Sequence, residues 1–158
     1  MRGNDNVVKE LNAALHAELT AIVQYMVQAE MCESWGYGVL GAHLKKQAIE
    51  EMGHAEGLIE RILFLDGAPA VDVGLKPKIS SNAKAFVEDN LKDEVGAVHQ
   101  YNAAAKVCAS AGDNGTKDLF ERLIKDEERH TDWAEAQLHA ISEVGLENWL
   151  GQQMKAGG

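Results

Sequence analysis

The sequence predicts an all-α protein, namely a four-helix bundle with one long crossover and a short fifth C-terminal helix. Three observations favour this fold. The 158 residues include only two prolines, so that long helices can run without interruption. Apolar residues recur at three- and four-residue spacings over four long stretches. One connection between these stretches is long, whereas two others are short and rich in glycine.

The predicted helices follow one another in a single domain over residues 1–158. We expect Asp5 or Asn6 to cap the first helix and one of residues 80–82 to cap the third. Residues 68–81 contain both prolines and show no helical periodicity, which predicts the crossover. The helices are predicted to span roughly residues 5–34, 39–65, 82–111, 115–144 and 146–155.

Composition and charge exclude several classes of function. The net charge of −10 and the pI of about 5.0 argue against binding to nucleic acid or anionic membranes, and they suit the attraction of cations. Residues 1–6 resemble no secretory signal, and no apolar run is long enough to span a membrane, so we expect a cytoplasmic protein. Cys32 and Cys108 are expected to be buried thiols, since two cysteines do not form a disulfide framework.

The chain contains an internal repeat with a shift of 76 residues. Two Glu-x-x-His stretches, Glu51 to His54 and Glu127 to His130, are separated by this distance. In a helix, residues three apart lie on the same side, so each stretch presents a carboxylate and an imidazole together. The same shift places Glu18, Tyr25 and Cys32 on Glu94, Tyr101 and Cys108. A duplication that keeps mostly metal-ligand residue types indicates a metal site.

Four glutamates and two histidines fall inside apolar stripes, where core leucines would be expected. Burying unpaired carboxylates costs several kcal/mol each, and a domain has only about 5–15 kcal/mol of net stability. Divalent cations among them would resolve this cost, whereas a solvated polar seam or a proton-sharing carboxylate cluster is the alternative. Two Glu-x-x-His sets favour two cations, and oxygen-rich ligation with one nitrogen per ion favours iron or manganese over structural zinc.

At these residues the chain resembles the bacterioferritins, over essentially all 158 positions. A glutamate from each of two helices and Glu-x-x-His from the other two is the known pattern of ferritin-like di-iron proteins. The resemblance implies a ferritin-like four-helix bundle and a ferroxidase centre with two Fe per subunit. It assigns bridging roles to Glu51 and Glu127, and terminal roles to Glu18 with His54 and to Glu94 with His130. Tyr25 matches a tyrosine beside this centre, although packing in the stripe would also explain it.

Met52 is the residue that bears on a second cofactor. Because it follows Glu51 directly, it points about 100° away from the metal face, toward the outside of the bundle. Interface packing is the ordinary role of such a methionine. The resemblance instead implies an axial ligand to haem iron at a two-fold axis, with one b-type haem per two subunits. No Cys-x-x-Cys-His motif is present, so such a haem would be bound non-covalently.

The resemblance also implies a homo-oligomer. Bacterioferritins form hollow shells of twenty-four subunits built from two-fold dimers, in which the short fifth helix lines four-fold pores. Residues 146–155 fit that helix, although a cap on the chain's own bundle is the alternative. Some members carry a histidine and an acid on the cavity wall as an accessory iron site. Lys46 and Glu50 stand there in this chain, so the resemblance does not extend to that site.

The function implied is iron storage and detoxification. The centre would oxidise Fe(II) with O2 or H2O2, Fe(III) would be stored as mineral, and a ferredoxin-like protein would be the reductant for iron release. A haem-free ferritin is the nearest alternative and depends on Met52. A free-standing di-iron oxidase or peroxidase of the rubrerythrin-like type, without the cysteine-rich domain, is another. A third is a haem-carrying electron-transfer bundle in which the metal site is unused.

Overall fold

A computed structural model describes residues 1–72 and 74–154 and confirms the predicted architecture. Bounds of the four long helices differ from prediction by at most one residue. The fifth ends at Gln153, and residue 155 of the predicted range lies outside the described residues. The helices are α1 (Asp5–Ser34), α2 (Gly38–Phe64), α3 (Ala83–Ser110), α4 (Asn114–Val144) and α5 (Leu146–Gln153). Within the described ranges, no helix is both long and apolar enough to cross a membrane.

The N-terminal caps show one error in the sequence prediction. Asn4 caps α1, not Asp5 or Asn6, because its backbone is extended and its side chain accepts the N–H of Asn6 at 2.9 Å. The cap of α3 lies within the predicted range, since the Asn82 side chain accepts the N–H of Ala85 at 2.8 Å. A cap needs non-helical backbone, which the spacing of apolar residues cannot locate to one residue.

Short turns join α1 to α2 and α3 to α4, whereas residues 65–82 cross from one pair to the other. Gly36 and Gly112 occupy equivalent positions in the repeat and close the two turns with φ of 87° and 71°. These left-handed conformations favour glycine at a helix C-terminus. Each half of the chain is therefore a helix pair, and α1 also packs against α3.

The interior consists of two apolar clusters. The first includes Leu11, Leu58 and Cys108, and the second includes Leu40 and Cys32. Both cysteines are free buried thiols, as predicted, and burial raises the pKa of each to about 11. Along every long helix, buried polar residues lie between the segments that form the two clusters. The fold thus holds a polar layer at the middle of the bundle.

The fifth helix packs against its own bundle. Trp149 is buried in the second apolar cluster, and its indole N–H donates to Gln137 Oε1 at 3.0 Å. Leu150 packs against the same cluster. These contacts agree with a helix that caps the bundle, whereas the expected pore-lining role stays a prediction.

Candidate metal centre

The six ligand candidates all converge in the polar layer. Each is between 1 and 9% exposed, although carboxylates and imidazoles are rarely buried without a partner. They come from all four long helices, one residue each from α1 and α3 and two each from α2 and α4. The residues are Glu18, Glu51, His54, Glu94, Glu127 and His130.

The side chains form two overlapping groups with ligand spacing. One group contains Glu18, Glu51, His54 and Glu127, and the other contains Glu51, Glu94, Glu127 and His130. Within each group the candidate ligand atoms lie within 4.8 Å of one another. Glu51 and Glu127 belong to both groups. This is the arrangement expected if two cations share these two carboxylates.

In each group, two residues lie together because they are three positions apart on one helix. The other two residues are brought beside them by the packing of neighbouring helices. His54 Nδ1 lies 3.2 Å from Glu51 Oε2 on its own helix and 3.0 Å from Glu127 Oε1 on α4. His130 Nδ1 lies 3.6 Å from Glu127 Oε2 and 3.1 Å from Glu51 Oε1. Each imidazole therefore faces both shared carboxylates.

Several buried atoms of this cluster lie close to one another but make no well-aligned hydrogen bond among the described residues. An unsatisfied buried polar atom is costly, and native structures contain few of them. Four atoms of the candidate ligands are in this state, which suits oxygen and nitrogen donors awaiting a cation. They are Glu18 Oε2, Glu51 Oε1, Glu127 Oε1 and His130 Nδ1. The residues present thus fit a pair of divalent cations.

The four carboxyl groups differ in acidity. Burial, with help from the neighbouring Glu51, raises the pKa of Glu18 well above its ordinary value. Burial and Glu127 do the same for the pKa of Glu94. Burial acts in the same direction on Glu51 and Glu127, but hydrogen bonds from neighbouring carboxyl and imidazole groups outweigh it and lower their pKa values. The shared glutamates are therefore the more acidic pair.

The histidines balance that charge. Burial alone would lower the pKa values of His54 and His130, but close polar contacts with the surrounding carboxylates raise both well above the ordinary value. The raised pKa values favour imidazolium ions beside Glu51 and Glu127, which offset part of the negative charge of the metal-free cluster. Four ionised glutamates and two neutral histidines would carry −4, which two divalent cations neutralise.

A second set of residues contacts the outer nitrogens of the histidines, and sequence reasoning did not find it. His54 Nε2 lies 2.8 Å from Asp126 Oδ2, and His130 Nε2 lies 2.6 Å from Glu50 Oε2. The Arg129 guanidinium donates to both carboxylates at 3.2 Å. Such partners fix the orientation of a ligating imidazole. The available signal was the repeat, since Glu50 and Asp126 are 76 residues apart.

Two buried tyrosines contact the centre. Tyr25 donates its hydroxyl to Glu94 Oε1, which places this predicted residue beside the cluster. Tyr101 donates to Glu18 Oε1 at 2.7 Å. The sequence prediction treated Tyr101 only as the repeat equivalent of Tyr25.

A cavity of about 450 Å³ connects the centre with the protein surface between α1 and α3. Its inner wall includes Glu18 and Glu94. Its outer part is lined by three lysines, of which Lys78 pairs with Asp89 at 3.0 Å. Small molecules can therefore reach the cluster from this side of the bundle.

Met52 lies apart from this centre, on the outer surface, as predicted. It is 47% exposed, and Ile49 and Leu63 on the same side of α2 are 56 and 57% exposed. The large apolar side chain of Met26 on α1 is also exposed. Runs of exposed apolar side chains commonly mark a protein interface or a ligand-binding surface.

Comparison with known proteins agrees with the fold. A Ferritin-like domain matches residues 8–144. The chain is 40% identical to a bacterioferritin of Rhodobacter capsulatus, over 92% of this chain and 90% of that protein. It is 37% identical to a bacterioferritin of Brucella melitensis, over 94 and 92%, and 34% identical to one of Mycolicibacterium paratuberculosis, over 96% of both. Identity at this level over nearly the whole chain shows that the protein belongs to the bacterioferritin family.

Proposed function

We propose that the protein stores and detoxifies iron, and that its buried centre oxidises Fe(II). The observation that carries this proposal is the pair of overlapping ligand groups that share Glu51 and Glu127. Two ferrous ions bound side by side can pass two electrons to one oxidant molecule. Reduction of O2 to H2O2, or of H2O2 to water, consumes two electrons and two protons. Membership of the bacterioferritin family supports iron as the substrate.

The residues of the centre have distinct tasks in this reaction. Four carboxylates supply the negative charge that stabilises the ferric product more than the ferrous substrate. The imidazoles of His54 and His130 supply one nitrogen donor to each ion and are held by Asp126 and Glu50. The cavity between α1 and α3 gives a small neutral oxidant a path to the ions.

Assembly and haem belong to the same proposal. Twenty-four copies would form a shell from two-fold dimers and enclose the ferric mineral. The exposed apolar surface around Met52 is suited to a dimer interface and to an apolar macrocycle. The Met52 thioether is a suitable axial ligand for haem iron. A b-type haem shared by two subunits would supply a route for electrons during iron release, from a ferredoxin-like reductant.

One experiment tests the oxidation of Fe(II) at the centre. Glu127→Ala removes a ligand shared by both ions, so rapid Fe(II) oxidation should fall by at least about 100-fold, more than loss of an outer partner would cause. Stopped-flow absorbance under O2 and under H2O2 measures the rate. Glu128→Ala changes an exposed neighbour and is the matched control. Rapid oxidation retained by Glu127→Ala would contradict the proposal.

Gel filtration with simultaneous protein and haem absorbance tests the assembly. We expect a shell-sized species with a haem band, and Met52→Leu should remove the band while the shell remains. A shell without haem in the unmodified protein would favour the haem-free ferritin. A small species that still oxidises Fe(II) would favour the free-standing oxidase.

A further inference from the structure

Each terminal glutamate of the centre is held by a tyrosine from the other half of the chain. Tyr101 on α3 donates to Glu18 on α1 at 2.7 Å, whereas Tyr25 on α1 donates to Glu94 on α3. The tyrosines and the glutamates are related by the same shift of 76 residues. The two hydrogen bonds are therefore counterparts across the pseudo-symmetric centre.

The surroundings of Tyr101 fix its hydroxyl in this position. The side chain is 1% exposed, and its ring packs in the first apolar cluster, 5.7 Å from the Phe120 ring. Only the hydroxyl reaches the polar layer. A buried hydroxyl needs a partner, and Glu18 Oε1 provides it.

This hydrogen bond engages one oxygen of Glu18 and leaves the other for a metal ion. Oε1 accepts from Tyr101 and lies 3.5 Å from His54 Nδ1, while Oε2 is buried and has no hydrogen-bond partner among the described residues. Glu18 also belongs to the ligand group with Glu51, His54 and Glu127. A carboxylate that is anchored through one oxygen keeps the other directed at one site, since rotation about its terminal bond would break the anchor.

We propose that Tyr101 is a positioning residue that orients Glu18 as a terminal metal ligand, as Tyr25 orients Glu94. This inference rests on the proposed two-metal function. Its consequence is that the two subsites bind with matched affinity and fill together. Matched filling is useful to the reaction, because a single ferrous ion can supply only one of the two electrons that the oxidant takes up.

The test measures each subsite separately with cobalt(II), whose visible absorbance reports its coordination. In a His130→Ala background, only the subsite of Glu18 and His54 keeps its imidazole. There Tyr101→Phe should weaken cobalt(II) binding about tenfold, the usual effect of one hydrogen bond to a charged group, and change the visible spectrum. In a His54→Ala background the same substitution should leave the affinity unchanged. Tyr25→Phe should show the reverse pattern.

Two controls separate positioning from general packing. Tyr37→Phe removes a hydroxyl outside the centre and should not change binding in either background. Equal weakening of both subsites by Tyr101→Phe, or no weakening of either, would overturn the inference. If the phenylalanine variant does not assemble, Tyr101→Met provides a second side chain without the hydroxyl. A parent protein that binds no pair of cobalt(II) ions would instead refute the two-metal function itself.

Discussion

The two halves of the chain match closely around the centre and differ at nearby positions on the surface. At the centre, positions related by the shift of 76 residues carry the same kinds of group, including both tyrosines and the acidic partners Glu50 and Asp126. Beside it, Met52 corresponds to Glu128 and Gly53 to Arg129, so these exposed positions do not match. Inside, each half contributes candidate ligands to the same proposed pair of metal sites, so the same chemistry would constrain both. Outside, the halves face different surroundings.

The largest expected effect is the pH dependence of metal binding, to which ligands from both halves contribute. Glu18, Glu94, His54 and His130 have raised pKa values in the metal-free centre, and each must lose its proton to bind a cation. Lower pH favours the protonated, metal-free form, so affinity should rise with pH. Below those raised pKa values the product of the two binding constants should rise by up to about 10⁴ per pH unit, a factor of ten per proton released.

A pH-stat titration with cobalt(II) measures the protons directly. Net release of protons is expected on binding, and Glu18→Ala should reduce it by up to about one proton per chain. Release of the same number by both proteins would mean that Glu18 is ionised without metal.

A smaller effect is expected at the outer partners of the histidines. Glu50→Ala should slow Fe(II) oxidation about tenfold, the lower end of the range for partners that orient metal ligands. Asp126→Ala should do less, because Asp126 is 43% exposed and Glu50 is 25% exposed. Stopped-flow rates compare both with the control Glu56→Ala, which changes an exposed acid on α2. A larger loss of rate for Asp126→Ala than for Glu50→Ala would contradict this expected order of the two partners.

The smallest expected effect concerns the N-termini of α2 and α4, which begin at equivalent positions of the repeat but are capped differently. Asp113 caps α4, accepts the N–H of Thr116 at 2.9 Å and pairs with Arg61 at 2.9 Å. Its equivalent, Tyr37, makes no side-chain cap on α2. Asp113→Ala should lower the free energy of unfolding by about 1–2 kcal/mol. Denaturant unfolding of the metal-free protein measures this loss.

The control for the cap is Tyr37→Ala, at the equivalent position of α2. Tyr37→Ala removes packing contacts but no capping hydrogen bond. Any loss of stability that it causes therefore does not come from an uncapped N–H in the first turn of α2. Combining Asp113→Ala with Arg61→Ala separates the cap from the ion pair, because the contacts of Arg61 with Thr116 and Phe64 are lost equally with and without Asp113. Additive losses for Asp113→Ala and Arg61→Ala would show that the pair contributes nothing.

Sequence periodicity was sufficient for the helices and the inward residues, because both depend on local spacing. Glu51 and His54 share a helix face whatever the rest of the fold does. The contacts of Arg129 and of Tyr101 depend instead on how α4 and α3 are rotated against α2 and α1. The cap at Asn4 depends on one backbone conformation. Rotation and backbone dihedrals are set by packing between elements, which a single sequence does not display.

The crossover at residues 65–82 has a consequence for how the centre responds to dilution. Each ligand group needs residues from both helix pairs, so two separate hairpins would have to meet before either cation could be held. A tether of this length keeps the pairs at an effective concentration on the order of millimolar. The centre can therefore form within one newly made chain, at any abundance, before a second copy is present.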